Sequence, residues 1–115
     1  MKTSALARFL NYVTYDTRSD EQSSTFPSTP GQTVLLRHLV TELRALGLED
    51  VSMDDYGYVM ATVTATPGRE RAPAVGFIAH VDTSPEMPGR DVQVLLEVPA
   101  DVAVFVTKPF RLILV

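Results

Sequence analysis

The most constraining feature of the sequence is an apolar run at residues 74–79 that ends in His80-Val81-Asp82. The run, Ala-Val-Gly-Phe-Ile-Ala, contains no polar side chain, which is typical of a strand covered on both faces of its sheet. Helices predicted earlier in the chain can supply such a cover. We therefore expect an α/β fold in which helices pack on a mixed sheet. The 115 residues suffice for one small domain of this kind.

A first amphipathic helix is predicted close to the N-terminus, with Thr3 or Ser4 as its N-cap. Its apolar side chains recur at i, i+3, i+4 and i+7, which places them on one stripe. They are Leu6, Phe9, Leu10 and Val13. The segment that follows, residues 14–29, is rich in Ser, Thr and Asp and is predicted to be a loop.

A longer helix is predicted from Pro30 to Leu46. Thr29 can cap it, proline suits its first position, and Gln32 stands where a capping box has Glu or Gln. Gly47 is typical of the residue just after a helix. The broad apolar face consists of Leu35, Leu36, Leu39, Val40, Leu43 and Leu46.

Two β-prone segments, residues 51–53 and 58–64, flank the turn-forming sequence Asp54-Asp55-Tyr56-Gly57. This pattern predicts a β-hairpin. A charged loop at residues 66–73 then leads into the apolar run, so the chain order is helix, helix, hairpin and buried strand.

The composition excludes several classes of function. The net charge is −4 and the basic residues are scattered, so no nucleic-acid partner is predicted. The absence of cysteine excludes disulfides and thiolate metal sites. Arg8 and Asn11 interrupt the N-terminal apolar stretch too early for a signal peptide. No membrane partner is predicted either, and the cytoplasm is the expected compartment.

His80 and Asp82 are the candidate site residues because side chains at i and i+2 of a strand point the same way. A neutral imidazole is a good zinc ligand, and a nearby carboxylate can orient it. The simpler interpretation is a partly exposed histidine at a strand end, with Asp82 opening a turn. Spacing alone favours that simpler interpretation, because His-x-Asp is a short and common pattern.

Other polar residues have simpler structural explanations. His38 lies on the longer helix beside its apolar face, and Tyr12 and Tyr15 are interpreted as packing residues. The pairs Glu49-Asp50 and Asp54-Asp55 are interpreted as solvated turn carboxylates, with a weak cation site as the alternative.

Three stretches of the sequence resemble peptidase T: FLNYVTYDTRS (residues 9–19), PSTPGQ (27–32) and VGFIAHVDTSP (75–85). That family consists of cytoplasmic tripeptide aminopeptidases within a clan of two-zinc peptidases and deacylases. The clan shares a His-x-Asp at a strand end, whereas HVDTSP and PSTPGQ together indicate the peptidase T branch. The resemblance covers residues 1–91, which it identifies as the N-terminal portion of a catalytic domain.

The resemblance implies that His80 is a ligand of one of two zinc ions. It implies that Asp82 is the catalytic-site aspartate that orients or polarises this ligand. Intact members of the family release the N-terminal residue of tripeptides. Their bridging aspartate, their glutamate general base and their other metal ligands lie later in the chain than this sequence extends. So does a smaller domain through which they form homodimers.

Residues 92–115 depart from the resemblance because they are mostly apolar. We interpret them as a divergent tail, produced by a frameshift or a premature end after about residue 91, with genuine divergence as the alternative. One hypothesis is a tripeptide aminopeptidase sequence that is truncated and inactive alone. The alternative is a non-catalytic remnant or interaction module. A dipeptidase or deacylase of the same clan fits PSTPGQ and HVDTSP less well.

Overall fold

The computed structural model describes residues 4–92, which form two helices followed by a hairpin. The elements are α1 (Ala5–Tyr12), α2 (Pro30–Ala45), β1 (Glu49–Met53) and β2 (Val59–Thr62). This is a small α/β arrangement, as the sequence predicts. No helix within the described residues is long and apolar enough to cross a membrane.

The ends of α2 follow the local signals in the sequence. Thr29 is the N-cap and Pro30 is the first helical residue, where its missing N–H costs no hydrogen bond. At the other end Gly47 has a φ of 81°, a backbone conformation that glycine adopts without strain. The N–H of Leu48 donates to the carbonyl of Leu43 at 3.2 Å, and that of Gly47 donates to Arg44 at 2.9 Å. These two bonds form a Schellman motif, which ends the helix as predicted.

The predicted hairpin is confirmed. Strands β1 and β2 are antiparallel, with Ser52 opposite Met60. The carboxylate of Asp54 accepts hydrogen bonds from the backbone N–H groups of Tyr56 and Tyr58, at 3.0 and 2.8 Å. This Asx-type turn reverses the chain between the strands.

The apolar core lies at the N-terminal half of α2, where Leu35 and Leu36 are buried. Leu39 and Leu43 on the same helix are half-buried, and α2 packs against both strands of the hairpin. The predicted packing of this helix on a sheet is therefore confirmed for the hairpin.

The prediction of a strand at residues 74–79 is wrong for the described chain, because this segment pairs with no other strand there. Phe77 is 94% exposed, and Val75 and Ile78 are also exposed. The sheet is a two-stranded antiparallel one rather than the mixed sheet expected. A strand that is apolar on both faces needs neighbours on its edges and faces, and residues 4–92 do not provide them. Apart from Val92, the apolar tail lies outside the described residues.

Helix α1 is held to α2 by polar groups. Ser4 caps α1 by accepting a hydrogen bond from the N–H of Ala7 at 3.1 Å. The carboxylate of Glu42 accepts hydrogen bonds from the guanidinium of Arg8 at 2.7 Å and from the hydroxyl of Tyr12. The predicted apolar stripe is not buried here, since Leu6, for example, is exposed.

Burial and hydrogen bonding at this contact shift two pKa values in opposite directions. Burial, followed by the hydrogen bond to the carboxylate, raises the pKa of Tyr12 to about 12. The hydrogen bond from Tyr12, followed by that from Arg8, lowers the pKa of Glu42 although burial opposes them. Glu42 is therefore ionised in the folded chain at neutral pH and fastens α1 to α2.

Replacing Leu36 by Ala should lower the free energy of unfolding by about 2–3 kcal/mol, since it removes one of the two leucines that are buried within residues 4–92. Val34→Ala is a matched control on the same helix, because Val34 is 55% exposed. It should change the free energy by less than about 0.5 kcal/mol. Urea unfolding followed by circular dichroism measures both. Equal losses in the two variants would contradict the placement of the core.

Replacing Tyr12 by Phe should lower the free energy of unfolding by about 1–2 kcal/mol at neutral pH, because a hydrogen bond to a charged carboxylate is lost. The folded-state pKa of Glu42 lies below its ordinary 4.5, so this stabilisation is present above pH 4.5 and is lost as the pH falls through the lowered value. The difference between the variant and the original chain should shrink accordingly in urea titrations between pH 7 and acid. Tyr15→Phe is the control, because it keeps the ring that contacts His38 and leaves the contact between Tyr12 and Glu42 intact. A difference between Tyr12→Phe and the original chain that stays constant down to pH 2 would contradict the assignment.

Candidate functional site

The backbone of residues 17–19 pairs with Thr83, the residue that follows the His-x-Asp pattern. The N–H of Thr83 donates to the carbonyl of Thr17 at 3.1 Å. The carbonyl of Thr83 accepts from the N–H of Ser19 at 2.9 Å and from its hydroxyl at 3.1 Å. This short parallel bridge joins two segments more than 60 residues apart in sequence.

The start of α2 also contacts the backbone of residues 17–19. The side-chain amide of Gln32 donates to the carbonyls of Thr17 and Arg18, at 3.3 and 3.1 Å. The hydroxyl of Thr29 donates to the carbonyl of Arg18 at 2.8 Å. The three stretches that resemble peptidase T thus converge on residues 17–19.

These contacts correct the predicted capping box. The side chain of Thr29 makes no capping hydrogen bond, because its hydroxyl donates to Arg18 instead. The carbonyl oxygen of the Gln32 side chain accepts from the N–H of Ser28 at 3.0 Å, one residue before the N-cap. Both residue types are suited to capping, but here they hold a neighbouring segment of the chain.

Two glycines allow other segments to approach Asp16 closely. A Cβ on Gly31 would overlap the backbone carbonyl oxygen of Asp16. A Cβ on Gly89 would lie 2.8 Å from the Asp16 carboxylate and 3.2 Å from its Cα. Asp16 also forms a two-point ion pair with Arg18, at 3.0 and 3.1 Å, and these hydrogen bonds lower the pKa of the Asp16 carboxyl. The start of α2 and the chain after His80-Val81-Asp82 therefore both need glycine here.

The ring of His80 is held by Asp82, although residues 74–82 form no strand within the described chain. Its Nδ1 lies 2.9 Å from the Asp82 carboxylate and 3.0 Å from the Asp82 backbone carbonyl. Both partners are acceptors only, so Nδ1 carries the proton in the neutral ring. The lone pair of the imidazole is then on Nε2, the nitrogen that a metal ion can bind.

The imidazole is open to solvent: the side chain of His80 is 64% exposed. Within residues 4–92 no group of three or more His, Asp or Glu side chains is close enough together to hold a metal ion. An open groove of about 870 Å³ lies nearby, beside Arg18, Pro30 and Glu86. His80 and Asp82 do not line it. The described residues thus present one oriented imidazole rather than a complete metal site.

The remaining candidates have structural roles. The Nδ2 group of Asn11 lies 3.1 Å from the Nε2 of His38, so that nitrogen is engaged within the fold. The ring of His38 also contacts the rings of Tyr12 and Tyr15, at centroid distances of 6.1 and 5.6 Å. These contacts agree with the interpretation of Tyr12 and Tyr15 as packing residues and with a structural role for His38.

The acidic pairs differ from each other. Asp54 is a turn carboxylate, as predicted, because it accepts two backbone hydrogen bonds at the hairpin. Glu49 and Asp50 are exposed but begin β1 rather than a turn, so the turn interpretation is wrong for them.

Sequence reasoning missed residues 17–19 and Gln32 as parts of the site. Their segments were noted only as parts of the stretches that resemble peptidase T. The available signal was the unusual combination of small polar residues and a glycine at the start of α2, which permits a close approach of backbone. The partner of that approach is distant in sequence, so local patterns do not reveal it.

The sequence is similar to those of known proteins. The chain is 56% identical to peptidase T of Parabacteroides distasonis over 88 residues, which are 76% of this chain and 21% of that protein. It is 50% identical to peptidase T of Brevibacillus brevis and 48% identical to that of a Geobacillus strain. Each of these matches covers 93 residues, which are 81% of this chain and 22% of the relative. No protein-family profile matches the chain.

The chain is therefore homologous to part of a metallopeptidase. It is a homologue of peptidase T, which confirms the predicted relationship. It spans about a fifth of the length of the curated relatives that it matches.

Replacing Gly31 by Ala should lower the free energy of unfolding by about 1–3 kcal/mol, because the new methyl group overlaps the Asp16 carbonyl. Gly76→Ala is the matched control, since a Cβ there would meet no atom within 4 Å. Chemical denaturation measures both variants, and amide chemical shifts of residues 16–19 report the displacement. If Gly31→Ala were as stable as Gly76→Ala, the close approach would be refuted.

Proposed function

We propose that this chain carries the first zinc ligand, His80, and its orienting carboxylate, Asp82, of a peptidase T-type tripeptide aminopeptidase. The whole protein of this type would act in the cytoplasm on tripeptides, release their N-terminal residue and form a homodimer. The observation that carries the proposal is the 2.9 Å contact between the Nδ1 of His80 and the Asp82 carboxylate. It supports a ring whose Nε2 is available to a metal.

Zinc fits the donor chemistry of these residues. The peptidase T family uses zinc, and zinc takes imidazole nitrogen as a ligand. A metal-bound histidine ordinarily donates its other ring N–H to a carboxylate or a backbone carbonyl. His80 does both through Asp82. The Nε2 of His80 would hold one ion, and Asp82 would fix the tautomer and the ring plane.

Zinc supplies Lewis acidity and lowers the pKa of water, which are the requirements of peptide hydrolysis at neutral pH. The residues of this chain contribute orientation. The hydrogen bond from Nδ1 to Asp82 keeps the proton off Nε2, and it increases the basicity of the ring toward a cation.

The same geometry supports inactivity of the chain by itself. A catalytic zinc has about three protein ligands, and the proposal assigns one of them to this chain. The groups of a catalytic site act together, so the loss of one costs several orders of magnitude in rate. On this proposal the remaining ligands and the general base would lie in the part of the relatives that this chain does not span, which is about four fifths of their length.

A second candidate is a non-catalytic remnant or an interaction module. The exposed apolar side chains of residues 74–79, with Phe77 at 94%, favour it. Apolar surface of this kind is usually covered by another protein segment. Association that persists in the absence of metal, and that is lost when Phe77 is replaced by Ser, would support this candidate.

The purified chain should show no zinc-dependent release of N-terminal residues from tripeptides. It should still bind zinc weakly through one nitrogen. Titration with zinc should move the NMR signal of the His80 Nε2, and His80→Ala should remove this weak binding. His38→Ala is the matched control, because the Nε2 of His38 is engaged by Asn11, and it should leave the binding unchanged.

Two outcomes would contradict the proposal. One is a zinc response that follows His38 rather than His80. The other, tripeptide hydrolysis by this chain that His80→Ala abolishes, would contradict the inactivity of the chain by itself, since the chain would then be catalytically complete. In a full-length relative, Asn in place of the aspartate equivalent to Asp82 should reduce turnover roughly 10- to 100-fold.

A further inference from the structure

We propose that Gln32 is a positioning residue for His80: its side-chain amide holds the backbone that sets the peptide group between Asp82 and Thr83. This inference rests on the proposed function of His80 as a zinc ligand. Gln32 lies at the start of α2, outside the His-x-Asp pattern, so its role arises from the folded geometry.

Gln32 and Thr83 donate hydrogen bonds to the same acceptor. The carbonyl oxygen of Thr17 accepts from the Nε2 group of Gln32 at 3.3 Å and from the N–H of Thr83 at 3.1 Å. Removing one donor therefore frees the carbonyl to rotate away from the other. Gln32 and Thr83 do not touch directly through these bonds, but both locate the same oxygen atom.

One planar peptide group connects the bond at Thr17 to the ring of His80. The N–H of Thr83 and the carbonyl of Asp82 belong to the same peptide unit, whose atoms lie in a plane. On one side this unit donates to Thr17 at 3.1 Å. On the other side its carbonyl accepts from the Nδ1 of His80 at 3.0 Å. A rotation of the unit that breaks the first bond also disturbs the second, and with it the ring of His80.

The side chain of Gln32 is itself rigidly held. Gln32 and Thr17 are 5% and 3% exposed, and they are the buried polar residues of the described chain. The side-chain oxygen of Gln32 accepts from the N–H of Ser28 at 3.0 Å, and its nitrogen donates to the Ser28 hydroxyl at 3.1 Å. Because both ends of the amide are bonded and buried, the side chain is fixed by the start of α2.

A hydrogen bond made by Thr29 allows a positioning role of Gln32 to be separated from simple stabilisation of the interface. Thr29 donates to the carbonyl of Arg18 at 2.8 Å, in the same interface and from the same end of α2. Its loss would weaken that interface without removing a donor from the Thr17 carbonyl. Thr29→Val is therefore a matched control for Gln32.

The test compares Gln32→Glu, Gln32→Met and Thr29→Val in the full 115-residue chain. Glu keeps an oxygen for the Ser28 N–H but removes the donor to Thr17, whereas Met removes both. Hydrogen exchange at the Thr83 N–H measures the bond to Thr17. The ¹⁵N chemical shifts of the His80 ring measure the share of the tautomer with its proton on Nδ1. Urea unfolding measures the overall stability of each variant.

In both Gln32 variants the Thr83 N–H should exchange roughly 3- to 10-fold faster than in the original chain. The His80 ring should also shift from the Nδ1–H tautomer toward a mixture. Thr29→Val should leave both signals unchanged, even if its free energy of unfolding falls by as much as that of the Gln32 variants. If a folded Gln32 variant keeps the original Thr83 exchange and His80 shifts, the positioning role is overturned. The same holds if Thr29→Val produces the same changes.

A separate measurement distinguishes this inference from the proposed function. Zinc is titrated into the original chain and into Gln32→Glu while the Nε2 signal of His80 is observed. A missing zinc response would contradict the ligand role of His80. A tautomer change in the Gln32 variants would still establish the structural coupling. A zinc response that is unaffected by Gln32→Glu would overturn the positioning role alone.

Discussion

The backbone carbonyl of Thr17 is the point on which the described structure depends. It receives a hydrogen bond from the start of α2, through Gln32, and another from the chain after the His-x-Asp pattern, through Thr83. The apolar core is small by comparison, since its buried hydrophobic side chains within residues 4–92 are Leu35 and Leu36. An unsatisfied buried carbonyl is costly, so these polar contacts bring distant segments together with high geometric specificity.

Local signals explain the parts of the fold that could be predicted from sequence. Proline and glycine set the two ends of α2 through their own backbone preferences, and the turn at Asp54 depends on residues at most four positions away. Such features require no knowledge of the rest of the chain. The His80–Asp82 contact belongs to the same group, because its partners are two residues apart.

The features that could not be predicted all depend on distant partners. The apolar pattern of residues 74–79 describes surfaces that would cover a strand, but it does not say where in the chain they lie. Within residues 4–92 they are missing, and Phe77 remains exposed. Gln32 has the residue type of a capping box, yet its amide bonds to a segment 14 and 15 residues earlier. Local chemistry identifies a donor, whereas only the tertiary fold identifies its acceptor.

The orientation of a metal ligand and the binding of the metal are physically separate tasks. Orientation of His80 needs one carboxylate and one peptide group, which lie within three residues of the ring and are braced by Thr17. Tight binding needs several ligands that converge from separate elements, and residues 4–92 bring no such group together. A chain that spans a fifth of its peptidase T relatives can therefore retain the first task without the second. The imidazole is held by Asp82 and by the peptide group that bonds to Thr17, and neither contact requires the other ligands of a metal site.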